Sequence, residues 1–322
     1  MKFSAEELQQ ARLKGDDLAD ALVAKIYQDK ANGGKARQLM GQILRNDEAL
    51  DPDLPDYIHQ FFAETAKLPS WANERKMKQG AQFFQTYARE IMAMLGYLSL
   101  PYCYAAADGA KVLWQSERTR KDTFKRLTET AQFVFDVMDT KAFQPDGFGL
   151  RGIQKVRLLH AAIRFHVGKK PDWNSEKHGL PVNQEDMAGT NLAFSLIILR
   201  GLRKMGKSIS AAQSEAYLHL WNVISYLMGI EEWLIPANAQ EAHLLERKIS
   251  GRNIRASEEG ILLTQALIES FDTAPPIPFP KGYHTSFMRF ILGDELADML
   301  EIPPQNWTGF LMAPQKFLNV FF

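Results

Sequence analysis

Apolar residues recur at helical spacing along almost the whole chain. In "KVRLLHAAIRFHV", residues 155–167, Val156, Ile163 and Val167 share one face of a helix turning about 100° per residue. The same period runs through "SAEELQQARLKGDDLADALVAKIYQDK", which opens on a cap at Ser4 and a capping-box glutamate at Glu7. "QGAQFFQTYAREIMAMLGYLSL" reads as a long apolar helix ending at Pro101. "KDTFKRLTETAQFVFDVMDTKAF" leads into the loop "QPDGFG", and the helix around residue 160 follows, stopping at Gly168. Beyond a polar stretch come "MAGTNLAFSLIILRGLRKMG", "AAQSEAYLHLWNVISYLMGI", "NAQEAHLLERKISG", "EEGILLTQALIESF" and "TSFMRFILGDELADML". Asn183 or Asp186 is placed to cap the first of these. Alternating strand patterns, repeats and low-complexity tracts are missing, so the expected fold class is all-α. "TAPPIPFP" (273–280) reads as a stiff connector inside the domain.

Charge and composition narrow the setting. The 322 residues carry 38 basic and 38 acidic side chains, a balance that argues against a nucleic-acid partner. One cysteine, Cys103, excludes an internal disulfide and a thiolate-rich metal cage. The amino terminus is charged and amphipathic and shows no secretion signal. The longest apolar runs are too short to span a bilayer, so a cytoplasmic protein without a transmembrane segment is expected. No phosphate loop, HExxH, GxSxG or paired Glu-x-x-His motif supports a nucleotide, zincin, serine-hydrolase or di-iron reading.

The candidate chemistry lies on the helix of residues 155–167. His160 has the aliphatic stripe on one flank and Arg157 and Arg164, within about 60°, on the other. On the preceding helix Arg126, Thr130, Phe133 and Val137 share a face. A Gly/Pro loop lets the two helices turn and face each other across a slot. A haem suits such a slot: neutral imidazole ligates iron, apolar side chains hold the porphyrin, and arginines bind its carboxylates. The hydroxyl and guanidinium opposite could hold dioxygen. The plainer reading is a core histidine bonded to a carbonyl, with both arginines in ordinary salt bridges. His166 lies about 120° from His160 and is read as structural. His219 is read as a bonded core histidine, and Glu185 and Asp186 as helix-start residues before metal ligands.

"KVRLLHAAIR" and "NQEDMAGT" (183–190), with "LPSWAN", "RLTET", "YLHLWNVISYLMGIEEWLIP" and "RFILGDELADMLEIP" in the same order, resemble the rubber oxygenase family. That family includes latex clearing proteins and the MpaB-type oxygenase. The resemblance implies a globin-like helical core holding one haem b, with extra helices at both ends. It also implies dioxygenase cleavage of isoprenoid double bonds. By position His160 is similar to the proximal ligand and Arg126 and Thr130 to the distal pair. Arg157 and Arg164 match the arginines flanking the haem. Two positions depart from the pattern. Glu129 stands where relatives can carry an iron-ligating lysine, which implies an open distal side. The family's upstream glutamate falls near Ala110, with Asp108 the nearest carboxylate. The expected substrate is therefore a small isoprenoid or lipid-like alkene, taken with dioxygen. A non-catalytic haem- or lipid-binding protein on the same scaffold is the alternative, and a helical interaction module that has lost haem a third. Residues 1–60 read as an amino-terminal helical extension and 61–322 as the catalytic domain.

Overall fold

The first predicted helix divides in two. In α1 (Ala5–Ala11) the Ser4 hydroxyl accepts the Glu7 N–H and the Glu7 carboxylate accepts the Ser4 N–H, the capping box read from sequence. The chain then turns at Gly15, and Asp16 caps α2 (Asp17–Gln28) by accepting the Ala19 N–H. A Cβ at Gly15 would press on the side chains of Asp20 and Arg164, so glycine leaves room for that ion pair. The structure, a computed structural model, describes residues 2–29, 34, 45–116, 123–273 and 282–304. The proline-rich connector lies outside them from residue 274 onward.

Helices α3 (Asp56–Glu64) and α4 (Glu74–Thr86) follow. A long, uninterrupted helical stretch comes next: α5 (Ala88–Met94), a π-helical segment (Leu95–Ser99) and α6 (Leu100–Tyr104). Helix does not stop at Pro101 as the sequence suggests. The proline is taken up just after the π segment, where the shift of hydrogen-bond register tolerates its missing N–H. Then come α7 (Ala107–Gln115), α8 (Thr123–Met138) and α9 (Gly149–Val167). After a single turn (Ser175–His178) the chain forms α10 (Gln184–Phe194), α11 (Leu196–Lys204), α12 (Ala211–Leu227), α13 (Ala239–Asn253), α14 (Glu258–Thr273), α15 (Tyr283–Leu292) and α16 (Asp294–Met299). No β-strand occurs among the described residues, and the fold is all-α.

Helices α4 and α12 form the closest pair in the core, meeting where Gly80 lies against the Ala216 backbone. Around them pack Met94, Tyr97, Tyr217, Ile224 and Phe287, together with Phe3 and Leu8 from the amino-terminal segment. A second apolar cluster joins α2, α3 and α9 through Leu22, Ile26, Phe61, Phe62, Leu158 and Ala161. Buried Gln154 of α9 donates to the Phe62 carbonyl and to the Thr65 hydroxyl, both at 2.8 Å, and so ties α3 to α9. No helix among the described residues is long and apolar enough to cross a membrane.

Candidate active site

Helices α8 and α9 pack against each other, joined through a loop in which Gly147, like Gly149 at the start of α9, lies close against backbone carbonyls. On α9, His160 keeps its Nδ1 buried with no hydrogen-bond partner. Burial, then the charges of Arg164 and Arg126, push the imidazole down to about 4 against the opposing pull of Asp16. His160 is therefore a neutral imidazole at physiological pH, the form that ligates metals. It does not donate to a carbonyl from that nitrogen, so the plain core-histidine reading lacks its bond.

The charge of Arg126 on α8 is felt at His160 and also at Tyr104, the last residue of α6. Arg126 donates to Glu129 at 3.0 Å, and the Thr130 hydroxyl, one turn on, donates to the Arg126 carbonyl at 2.8 Å. Glu129 is thus held by its own helix neighbour, as the i,i+3 spacing suggests.

The two flanking arginines differ. Arg157 makes a two-pronged pair with Asp16 of the α1–α2 turn, at 2.5 and 2.9 Å, and donates to the Leu227 carbonyl at 3.2 Å. Its donors are turned to Asp16 at the start of α2 and to the end of α12. Arg164 donates Nε to Asp20 at 2.7 Å and Nη1 to the Val182 carbonyl at 2.9 Å, but its Nη2 is buried without a partner. A buried guanidinium nitrogen in that state favours an anion. The salt-bridge reading therefore describes Arg157 fully and Arg164 in part. Asp16 and Asp20 escaped the sequence reading, although their i,i+4 spacing in "GDDLAD" puts both carboxylates on one side of α2.

The upstream carboxylate is occupied elsewhere. Asp108 is buried, and despite that cost Arg255, His178 and Arg12 hold it below the usual carboxylate range. It accepts from Arg12 and Arg255 at 2.6 Å and lies 2.7 Å from His178 Nδ1. Arg12 also reaches Asn253 at 2.6 Å and Glu185 at 3.3 Å, and Glu185 takes Arg252 at 2.7 Å. Asn183, not Asp186, caps α10, accepting the Asp186 N–H. Burial pushes the Asp186 carboxyl up to about 7, against Arg12. His166 is exposed beside the Tyr27 hydroxyl at 2.6 Å, and His219 accepts the Asn73 N–H at 3.0 Å.

No three His, Cys, Asp or Glu side chains converge on a metal position among the described residues. A metal on His160 would need its other ligands supplied with it, as a porphyrin supplies them. Neutral His160 and the open Arg164 nitrogen fit that group. A pocket of about 310 Å³ beside Arg157 is lined by Glu64, Glu231 and Glu232 together with Leu18, Tyr226 and Ile230, and His160 is not among its walls.

Residues 84–314 match the family model of the catalytic domain of the ER-bound oxygenase mpaB/B' and rubber oxygenase. The chain belongs to this family and is an oxygenase. It is 28% identical over 312 residues to the rubber oxygenase of Streptomyces sp. (strain K30), covering 95% of this chain and 75% of that one. Among solved structures it superposes on latex clearing protein LCP in the closed state with a TM-score of 0.86. That match has 26% identity over 96% of this chain and 83% of the other.

Proposed function

We propose that the chain is a haem b-dependent oxygenase that cleaves the C=C bond of a small apolar alkene, isoprenoid or lipid-like, met in the cytoplasm. The observation that carries this reading is a neutral imidazole on α9 whose buried Nδ1 has no partner, one turn from a guanidinium with one open nitrogen. The family's oxygenase activity supports an enzyme over a binding protein. His160 would hold the iron and Arg164 a haem carboxylate. Bound haem would supply dioxygen binding and redox chemistry.

The chain's own residues do the rest. Burial keeps His160 unprotonated and available as a ligand. Arg126, steadied by Glu129, presents positive charge across from His160, where a developing anion is favoured. The Thr130 hydroxyl rotates from the Arg126 carbonyl to donate toward the slot. Val156, Ile163 and Phe133 exclude water and offer the alkene an apolar wall. With Glu129 paired rather than an amine in the slot, loaded protein should bind carbon monoxide, cyanide and imidazole readily. In this reading residues 1–60 are a helical extension that serves the domain of residues 61–322.

Haem titration is the test. Wild type should develop a Soret band at one haem per chain, His160→Ala should lose most of it, and His166→Ala should keep it. A Soret band untouched by His160→Ala would remove His160 from the site. Loaded protein given short isoprenoids and dioxygen should release aldehydes or ketones in a Thr130- and Arg126-dependent way. Their absence would favour the haem- or lipid-binding alternative, to which the engaged Asp108 also speaks.

A further inference from the structure

Tyr97 occupies the middle of the π segment and is 1% exposed, so no dissolved substrate touches it. Its hydroxyl lies 2.7 Å from Nδ1 of His284, the second residue of α15 and itself buried. The two rings lie nearly parallel, at 10°. Nε2 of His284 faces the carboxylate of Asp272 at 3.8 Å, and that carboxylate is 60% exposed. With Nε2–H turned toward the carboxylate, Nδ1 accepts and the phenol donates. Phe271 and Phe287 flank the phenol ring, at 4.8 and 5.1 Å between centroids.

A phenol out of reach of every solute cannot act as a nucleophile or as an acid toward substrate. It can lose an electron, because electron transfer needs proximity and not contact, provided its proton has somewhere to go. His284 meets the second condition. Tyr104 lies seven residues further along the same uninterrupted helical stretch, a rise of about 10 Å at roughly 1.5 Å per residue. Tyr104 is itself buried and also feels the charge of Arg126. The chain of groups runs from the slot to Tyr104, Tyr97, His284 and the solvent-facing Asp272.

We propose that Tyr97 is a redox-active tyrosine, reached from the slot through Tyr104, with His284 as the acceptor of its proton. In the oxidation Tyr97 gives one electron to the oxidant, which is reduced by one, and its hydroxyl proton passes to Nδ1 of His284. The resulting imidazolium is stabilised by Asp272. A soluble thiolate returns the electron over a distance, without contact, and becomes a thiyl radical that couples with a second one to a disulfide, while His284 returns the proton. The oxidant is of the class formed when a haem protein meets peroxide, and for that identity alone the proposal rests on the haem reading. The service rendered is to drain oxidising equivalents that would otherwise damage the slot.

Electron paramagnetic resonance on the full chain tests this in two arms. In the first, haem-loaded protein is mixed with peroxide and frozen. Wild type should show a tyrosyl radical, Tyr97→Phe should lose most of it, and Tyr104→Phe should slow its rise. In the second, haem-free protein is oxidised by photogenerated tris(bipyridine)ruthenium(III). The wild-type minus Tyr97→Phe difference spectrum should show a radical whose lifetime His284→Gln shortens by about tenfold, because the glutamine amide can accept a hydrogen bond but has no basic nitrogen to hold the proton. A signal unchanged by Tyr97→Phe in both arms, or a lifetime indifferent to His284→Gln, overturns the proposal. Should wild type take up no haem, the function reading fails and the second arm decides this one alone. Tyr97→Phe removes one oxygen atom, and an unchanged melting temperature verifies its fold.

Discussion

At the residue scale, burial acts on His160 and Asp186 with opposite consequences for stability. His160 titrates at about 4 in the fold and near 6.5 when unfolded, so between those values the unfolded chain binds more protons. Its contribution is fully present above 6.5 and is lost as pH falls toward 4. Urea denaturation of haem-free protein should show a loss of about 2 kcal/mol at pH 5 relative to pH 7, and His160→Phe should remove that part of the slope. Asp186 is raised to about 7 from 3.8, so the folded chain holds a proton that the unfolded chain has released. Its favourable contribution fades as pH rises through that window. Asp186→Asn should therefore stabilise the protein at pH 8 by about 1–3 kcal/mol and change little at pH 4. If both variants moved stability in the same direction with pH, this assignment of charge states would be wrong. The helical period alone put His160, Arg157 and Arg164 on one face, because spacing fixes azimuth. It could not supply Asp16 or Asp20, which sit 141 and 144 residues away from the arginines they hold.

At the scale of elements, the α4–α12 pair depends on the missing side chain of Gly80. A Cβ there would stand 2.6 Å from the Ala216 carbonyl and 2.9 Å from the Leu220 Cβ. Alanine is the better helix former by about 1 kcal/mol, yet overpacking of this kind costs about 1–3 kcal/mol. Gly80→Ala should lower the melting temperature by a few degrees, and a rise would show that the two helices separate easily. The α3–α9 contact hangs on Gln154, and Gln154→Leu should cost about 1–3 kcal/mol by leaving the Phe62 carbonyl unpaired. Helix positions were readable from apolar period and caps, as the Ser4 box and the Asn183 cap illustrate. Helix junctions were less so. Gly15 breaks a pattern that looks continuous, and Pro101 fails to break one that looks finished, because close approach and π geometry leave no mark on periodicity.

For the whole molecule, the amino-terminal helices supply charges that α9 cannot do without. Asp16→Ala would leave the guanidinium of Arg157 without its two-pronged partner at a buried place. The cost should be about 3–5 kcal/mol, and Asp16→Ala combined with Arg157→Met should recover most of it. Non-recovery in urea melts would mean that the pair matters for shape and not for charge. Family membership was legible from ordered short motifs, each tied to a structural job. "NQED" shows why: Asn183 caps α10, Gln184 bridges the Gly15 and Gly229 carbonyls, and Glu185 receives Arg12 and Arg252. Those jobs depend on partners remote in sequence, which is why the motif is readable and its geometry is not.

The guanidinium of Arg12 also sets a timetable. Its partners stand at positions 108, 178, 185 and 253. On a ribosome adding about 5–20 residues per second, Asn253 is made about 10–50 s after Arg12. Throughout that interval the amino-terminal helix has its caps but not its seat. The seat of that helix is therefore completed in stages, with the Asp108 carboxylate available first, Glu185 next and Asn253 last, so a chain released before residue 253 would hold the Arg12 charge with only part of its partners.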